Sequence, residues 1–190
     1  MKLNRGQTVE EDVAEAVGAA EAPVEKDLSL RFGHVVSTGS TLLDLAISCG
    51  RTKSGGIPGG ILVEIFGPEG CGKTALIMEI LGSTKVHGGD SFIDDPEARI
   101  DAEYVELFGA NIGQDNYYQS DTVTEVFKRL RQWKPEPTKN DAVCTAAVDS
   151  LTALSTELEM EKEEGDKMGM RRAKEFSQEL RKTCRILRRN

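Results

Sequence analysis

A glycine-rich segment, residues 67–74, constrains the fold of this chain more than any other feature, because of what lies on either side of it. The apolar run 61–66 precedes it and has the length and composition of a buried strand. Helically spaced apolar residues follow it: Ala75, Leu76, Ile77, Met78, Ile80 and Leu81. A strand, a glycine loop and a helix in this order predict a phosphate-binding P-loop at the edge of an α/β sheet.

The residues of this loop have separate predicted roles in binding ATP and Mg²⁺. Glycines let the backbone wrap closely around an anion, so that successive N–H groups and the helix N-terminus face the phosphates. Lys73 is predicted to reach the β- and γ-phosphates, and the Thr74 hydroxyl is predicted to hold Mg²⁺. An ordinary glycine turn with a solvated lysine is the alternative interpretation. The predicted nucleotide contacts are Gly67, Pro68, Glu69, Gly70, Cys71, Gly72, Lys73 and Thr74.

The length of 190 residues suits one α/β domain, whose core must be mainly aliphatic because aromatic residues make up only 5% of the chain. No apolar stretch is long enough to span a bilayer, and no apolar segment follows the charged N-terminus. We therefore expect neither a membrane anchor nor a signal peptide. The four cysteines and two histidines lack metal-ligand spacing, which favours reduced cytoplasmic thiols over a zinc site.

Charge is distributed unevenly along the chain. The net charge of −8 argues against a uniformly basic surface for nucleic acid. Residues 1–30 hold seven acids and three bases, whereas residues 171–190 hold eight bases and two acids. Any contact with DNA is therefore expected to be local. Residues 1–30 are predicted to be an acidic, partly disordered arm, and residues 31–190 the folded core.

Hydrophobic periodicity and chain breakers predict alternating strands and helices. Ser40 is predicted to cap a helix over residues 41–49. Strands are predicted at about 90–94, 117–119 and 143–148. Helices are predicted at about 102–108, from 123 to the prolines after 134, and from about 170 onward. This alternation predicts a mostly parallel sheet with helices on both faces.

Acidic residues follow two of the predicted strands. Asp149 closes the strand at 143–148 and is predicted to be a Walker B acid that orders Mg²⁺, with a simple helix cap as the alternative. Glu97 follows the strand at 90–94 and is predicted to activate the attacking water, with Asp95 as the second candidate. A solvated acidic turn is the competing interpretation of these two carboxylates.

Five segments together resemble the RecA recombinases of bacteria and phages. They are the P-loop, in which Cys71 stands where a serine is common, residues 36–40 with Leu43 and Asp44, residues 92–104, residues 148–150 with Ala153 and Leu154, and residues 165–169 with Ser177 and Gln178. The resemblance covers about residues 30–187 with matching order and spacing. It is therefore much more specific than the P-loop alone.

The resemblance implies a P-loop NTPase with a RecA-like sheet, in which Glu97 and Lys73 are catalytic. It makes Asp101 and Tyr104 the adenine contacts, whereas the residues alone suggest that Tyr104 is a half-buried core aromatic. It also implies that residues 157–170 form the first DNA-binding loop, with Met168 wedged between base triplets. The implied DNA-binding residues are Gly165, Met168, Gly169, Arg171 and Arg172. Because six acids oppose two lysines between residues 157 and 167, a solvated acidic loop is the alternative.

RecA proteins continue beyond the long helix into a strand with a glutamine that senses the γ-phosphate, and then into a second DNA-binding loop. We therefore expect the sheet to be incomplete on its C-terminal side. The predicted function is that of an ATP-dependent recombinase, a DNA-dependent ATPase that binds single-stranded DNA in a homo-oligomeric filament and promotes homologous pairing and strand exchange. The alternatives are a truncated nucleotide-binding module that acts as an interaction partner and a related helicase or circadian-clock ATPase.

Overall fold

The computed structural model of the chain describes residues 34–50, 55–156 and 168–187. The strands are β1 (Val35–Val36), β2 (Ile57–Pro58), β3 (Ser91–Asp94), β4 (Tyr117–Tyr118) and β5 (Thr145–Val148). The helices are α1 (Thr41–Ile47), α2 (Lys73–Val86), α3 (Ala102–Leu107), α4 (Val123–Gln132) and α5 (Met168–Leu187), with 3-10 turns at Gln114–Asn116 and Leu151–Ala153. The predicted acidic arm, residues 1–30, lies outside the described residues.

The central sheet is parallel and has the order β4-β3-β5. Ile93 of β3 lies opposite Tyr117 of β4 on one side and Ala147 of β5 on the other. All four residues of β3 are buried, as expected for the middle strand of a sheet that is covered on both faces. Strands β1 and β2 form a separate antiparallel pair. The prediction of an α/β fold with a parallel sheet is confirmed.

Helices cover the two faces of this sheet through two hydrophobic clusters. Met78 and Leu81 of α2 pack with Ile93 and with Ala147, whereas Val148 packs with the cluster that α4 and α5 form. Successive strand residues point to opposite faces of a sheet, so Ala147 faces the layer that contains α2 and Val148 faces the layer that contains α4 and α5. The buried members of the second cluster are Val123, Val126, Phe127 and Leu154, and the α5 side chains that pack on them are Phe176 and Leu180.

Helix α5 is also attached to α4 by charged groups. Glu179 of α5 is buried and pairs with Arg131 of α4 and with Lys182. Burial by itself would raise the pKa of Glu179, but its hydrogen bonds and the two cationic charges outweigh that effect and lower it. The middle of α5 is therefore held against α4 by both apolar and charged contacts.

The apolar segment 61–66 differs from its prediction as a buried strand. No strand is assigned there, and Ile61, Leu62 and Val63 are 46–48% exposed, while Phe66 is 86% exposed. A strand is stable only when a neighbour satisfies its backbone N–H and C=O groups. Within the described residues, the sheet ends at β5, and no strand pairs with segment 61–66. The prediction of a buried strand at 61–66 is therefore wrong, because no strand among the described residues pairs with this segment.

Other elements follow the predictions within a few residues. Ser40 caps α1, because its hydroxyl accepts a hydrogen bond of 3.4 Å from the N–H of Leu43. The helix ends at Ile47 rather than Cys49, and α5 begins at Met168 rather than near Met170. None of the helices among the described residues is long and apolar enough to cross a membrane.

Candidate active site

The glycine-rich loop joins segment 61–66 to α2, and its backbone conformation favours glycine at two positions. Gly70 and Gly72 have φ values of 73° and 91°, a region that residues with a side chain rarely adopt. A Cβ atom on Gly67 would lie 2.8 Å from the sulfur of Cys71, whose side chain is exposed. Helix α2 begins directly after Gly72, so its first N–H groups face the loop. Such an arrangement of a glycine-rich loop and a helix N-terminus is typical of anion-binding sites.

The predicted phosphate-binding lysine lies over this loop. The ammonium group of Lys73 donates hydrogen bonds to the carbonyl oxygens of Gly67 and Pro68, at 3.0 and 2.9 Å. These contacts keep the positive charge next to the N-terminus of α2, where it adds to the positive end of the helix dipole. The loop, the lysine and the helix end thus form one concentrated positive region.

Thr74 and Asp149, the two residues predicted to hold Mg²⁺, lie in direct contact. The Thr74 hydroxyl donates a hydrogen bond of 2.5 Å to Asp149, although the residues are 75 positions apart. Asp149 follows β5, and its own N–H donates to the carbonyl oxygen of Asp94 at the end of β3. A hydroxyl and a carboxylate at one sheet edge are the hard oxygen ligands that Mg²⁺ prefers. The chemistry of these two side chains therefore fits Mg²⁺.

Glu97 lies at the same edge, and both oxygens of its carboxylate have partners. Ser150, the residue after Asp149, donates its hydroxyl proton to Oε1 of Glu97 over 2.8 Å. Arg99 forms an ion pair with Oε2, also at 2.8 Å, and its side chain is 74% exposed. Glu97 itself is 26% exposed, so it lies at the surface of the site. The sequence analysis predicted no role for Ser150 or Arg99. It showed only that they lie close to Asp149 and Glu97 along the chain.

Asp95, the second candidate for the water-activating acid, occupies a different environment. It is 1% exposed, and one oxygen accepts hydrogen bonds from the N–H of Ile100 and the hydroxyl of Tyr117. Its other oxygen is buried without a hydrogen-bond partner among the described residues. Burial and the hydrogen bond to Asp95 raise the pKa of Tyr117. The geometry therefore favours Glu97 over Asp95 as the carboxylate that can meet a substrate.

Asp94, which precedes both, is a structural residue that the sequence did not distinguish. It is fully buried, and its carboxylate accepts hydrogen bonds from the backbone N–H and the hydroxyl of Ser120, at 2.9 and 2.6 Å. These bonds fasten the loop after β4 to the end of β3. Three acids within four positions thus have three different environments.

The predicted adenine contacts have structural roles in this chain. The Asp101 carboxylate caps α3 by accepting a hydrogen bond of 2.8 Å from the N–H of Glu103. Tyr104 is partly buried against the first hydrophobic cluster, with its ring 5.0 Å from that of Phe108 in an edge-on arrangement. Contact between these two residues and adenine stays a prediction.

The predicted DNA-binding residues are described only in part. Gly165 lies outside the described residues, and Met168, Gly169 and Arg171 are described as backbone of α5 alone. Arg172 donates a hydrogen bond of 2.5 Å to the carbonyl oxygen of Thr152, and its guanidinium lies 5.9 Å from the ring centre of Phe176. The start of α5 is thereby attached to the 3-10 turn that follows Asp149 and Ser150.

Comparison with known proteins shows which protein family this chain is similar to. Residues 25–190 match the model of the RecA N-terminal domain. The chain is 33% identical over 187 residues to Protein RecA of Delftia acidovorans, an alignment that covers 92% of this chain and 48% of that protein. It is 34% identical over 196 residues to Protein RecA of Methylococcus capsulatus, with 96% and 54% covered. The chain spans about half the length of the curated relatives it matches.

Proposed function

Because the chain belongs to the RecA family, we propose that it binds ATP with Mg²⁺, hydrolyses it, and couples hydrolysis to single-stranded DNA in homologous pairing and strand exchange. The observation that carries the proposal is the contact between Thr74 and Asp149, 75 positions apart. It joins the anion-binding loop to an acid on the neighbouring part of the sheet, as a site for a nucleotide and its metal ion requires.

Binding rests on the positive region of the loop. The N–H groups from Glu69 to Thr74, at the start of α2, face the phosphates, and Lys73 exchanges its two carbonyl partners for phosphate oxygens. Thr74 and Asp149 hold Mg²⁺, which neutralises charge on the phosphates. Asp101 and Tyr104 are proposed to contact the adenine from the start of α3.

Hydrolysis is assigned to Glu97. A carboxylate at the surface of the site, beyond the end of β3, can accept a proton from a water that attacks the γ-phosphate. Asp95 lacks this access because it is buried and fastened to the backbone of Ile100. We therefore propose that the loop, with Asp149, binds the nucleotide and its metal ion, and that Glu97 acts in the chemical step.

Calorimetric titration with ATP and Mg²⁺ tests the binding proposal. Replacing Lys73 with Ala is expected to weaken ATP binding by about 1.5–3 kcal/mol for each charge-assisted hydrogen bond that is lost. Lys134→Ala removes an equally charged, exposed side chain beyond α4 and serves as the matched control. Equal affinity of wild type and Lys73→Ala would contradict the assignment.

DNA binding is proposed at the start of α5, where Arg171 and Arg172 follow the predicted first DNA loop. Each phosphate contact adds about 0.7 to the slope of log affinity against log salt for a single strand. Oligothymidylate binding, followed by fluorescence anisotropy between low and high salt, should therefore weaken in the double variant with both arginines changed to Ala, and its slope should fall. No binding at low salt would instead support a nucleotide-binding module without strand exchange.

The exposed segment 61–66 favours that second candidate. Its unpaired apolar surface is a feature of proteins that act through a partner. Such a module would bind ATP in the loop, respond to Lys73→Ala, and leave oligothymidylate unbound. The anisotropy experiment therefore separates the two proposals.

A further inference from the structure

A chain of hydrogen bonds connects the start of α5 to the Glu97 carboxylate. Arg172 donates to the backbone oxygen of Thr152 over 2.5 Å, and the hydroxyls of Thr152 and Ser150 are 2.6 Å apart. Ser150 in turn donates to Glu97 over 2.8 Å. Four residues from three separate parts of the chain thus form one continuous network.

The direction of this chain follows from counting protons. An ionised carboxylate only accepts, so the single hydroxyl proton of Ser150 is committed to Glu97. The hydroxyl of Thr152 must then supply the proton of the bond between the two hydroxyls. Arg172 has no acceptor atom and binds the same residue through its carbonyl oxygen. Every link therefore has one donor, and loss of one link removes support from the next.

The two ends of the network have different environments. Arg172 is the partly exposed guanidinium at the basic start of α5, and its neutral carbonyl partner is a weaker acceptor than a phosphate. At the other end, Ser150 and Arg99 occupy one oxygen each of Glu97. A carboxylate whose oxygens are both engaged has fewer lone pairs free for the proton of a water molecule.

We propose that Arg172, Thr152 and Ser150 form a relay that restrains Glu97 until a polyanion withdraws Arg172 from Thr152. Ser150 is the positioning residue, and Arg172 is the residue through which single-stranded nucleic acid raises turnover. This inference rests on the proposed function, because it requires Glu97 to act in ATP hydrolysis.

Steady-state ATP hydrolysis, with and without oligothymidylate, tests the relay. Ser150→Ala should raise the basal kcat about 2- to 10-fold, the range of a single hydrogen bond, while the KM for ATP changes little. The remaining stimulation by oligothymidylate should fall by the same factor. Ser150→Thr keeps the hydroxyl and should restore the wild-type values.

A double-variant cycle distinguishes the relay from purely structural roles of Arg172 and Ser150. If Arg172 acts through Ser150, combining Arg172→Ala with Ser150→Ala should raise basal kcat no further than Ser150→Ala alone. Arg185→Ala removes an exposed arginine from the same helix and is the matched control. Circular dichroism melting would reveal whether Ser150→Ala folds. If it does not, Thr152→Val removes the hydrogen bond between Thr152 and Ser150 and replaces Ser150→Ala in the same cycle.

The outcomes distinguish this relay from the function on which it rests. Absence of ATP hydrolysis in the wild type would overturn both. Hydrolysis that depends on Glu97, with effects of Ser150 and Arg172 that multiply independently, would overturn the relay and leave the proposed function standing. A lower kcat in Ser150→Ala would also overturn it, because Ser150 would then support Glu97 rather than restrain it.

Discussion

The two halves of the candidate site were equally visible in the sequence, yet they are built differently. On the loop side, segment 61–66 is unpaired, and Phe66 is 86% exposed. On the acidic side, β3 lies between two strands, and Phe92 is 1% exposed. Glycines and a helix N-terminus give the loop its shape locally, whereas the acids after β3 depend on the pairing of that strand with β4 and β5. The local shape of the loop therefore does not depend on whether the segment before it is paired as a strand.

The acidic side owes its order to contacts between distant residues. The register of β3 against β5 places Asp94 next to Val148, immediately before Asp149. Hydrophobic clusters on both faces hold those strands in place. On the loop side, the contact of Thr74 with Asp149 is the bond that connects the loop to the sheet edge. Segment 61–66 is thus the lightly supported part of the site, because α2, which carries Lys73 and Thr74, is packed on the sheet through Met78 and Leu81.

The largest effect is expected at Glu97, on the acidic side. Glu97→Gln should lower the kcat for ATP about 10²- to 10⁴-fold with little change in ATP affinity, because a water-activating carboxylate acts in the transition state. Single-turnover kinetics and calorimetry measure the two quantities separately. Turnover that stays normal would assign the role elsewhere, and parallel losses in affinity would show that the two halves do not divide binding from chemistry.

The support of the acidic side can be measured at Phe92. Its ring lies 5.2 Å from that of Tyr118 and 5.6 Å from that of Trp133, in a buried environment. Phe92→Ala should lower the free energy of unfolding by about 3–5 kcal/mol, since it leaves a cavity in a packed core. Urea denaturation followed by circular dichroism would measure the loss. A change below 1 kcal/mol would remove the contrast between the two halves.

A smaller, pH-dependent effect is expected at Asp90, which precedes β3. Burial would raise its pKa, but hydrogen bonds from Lys85 and from the N–H groups of Glu136 and Ser91, with the Lys85 charge, lower it below 3.8. A lowered folded-state pKa contributes stability above the unfolded value of 3.8, and this stability is lost as pH falls through the folded pKa.

Asp90→Asn tests this contribution. The variant should lose about 1–3 kcal/mol at pH 7, because Lys85 loses its charged partner in a largely buried position. Its unfolding free energy should also fall less than that of the wild type between pH 5 and 2. Urea denaturation across this pH range measures both. Parallel curves for the two proteins would contradict the assignment.

The smallest effect is expected at Phe66, on the loop side. Because its side chain is 86% exposed, Phe66→Ala should change the free energy of unfolding by no more than about 0.5 kcal/mol. This substitution is the matched partner of Phe92→Ala, since the same atoms are removed in each half. A loss of several kcal/mol, measured by the same denaturation method, would mean that segment 61–66 is buried in solution.

Local signals in the sequence predicted much of this arrangement. The glycine positions, the start of α2, the cap at Ser40 and the apolar run of β5 follow from short-range preferences that need no knowledge of the rest of the fold. Asp149 was placed at the end of its strand for the same reason. Its contact with Thr74 was predicted only as a shared role in holding Mg²⁺.

Other features depend on residues that are far apart in the chain. Ser150 meets Glu97 across 53 positions, and Arg172 meets Thr152 across 20, so no periodicity reveals either contact. Asp94, Asp95 and Glu97 differ in burial and partners rather than in composition. At segment 61–66 the prediction itself was wrong, because an apolar pattern predicts a strand but does not identify the neighbouring strand with which it would pair.

The exposed thiol of Cys71 provides this site with a chemical reporter. Cys71 lies within the loop that is proposed to enclose the phosphates, while Cys49, also exposed, follows α1 and lies outside that loop. An alkylating reagent therefore meets one cysteine that a bound nucleotide would shield and one that it would leave open. The ratio of the two modified peptides by mass spectrometry would report occupancy without any measurement of turnover, and Cys49 would correct for reagent and exposure time.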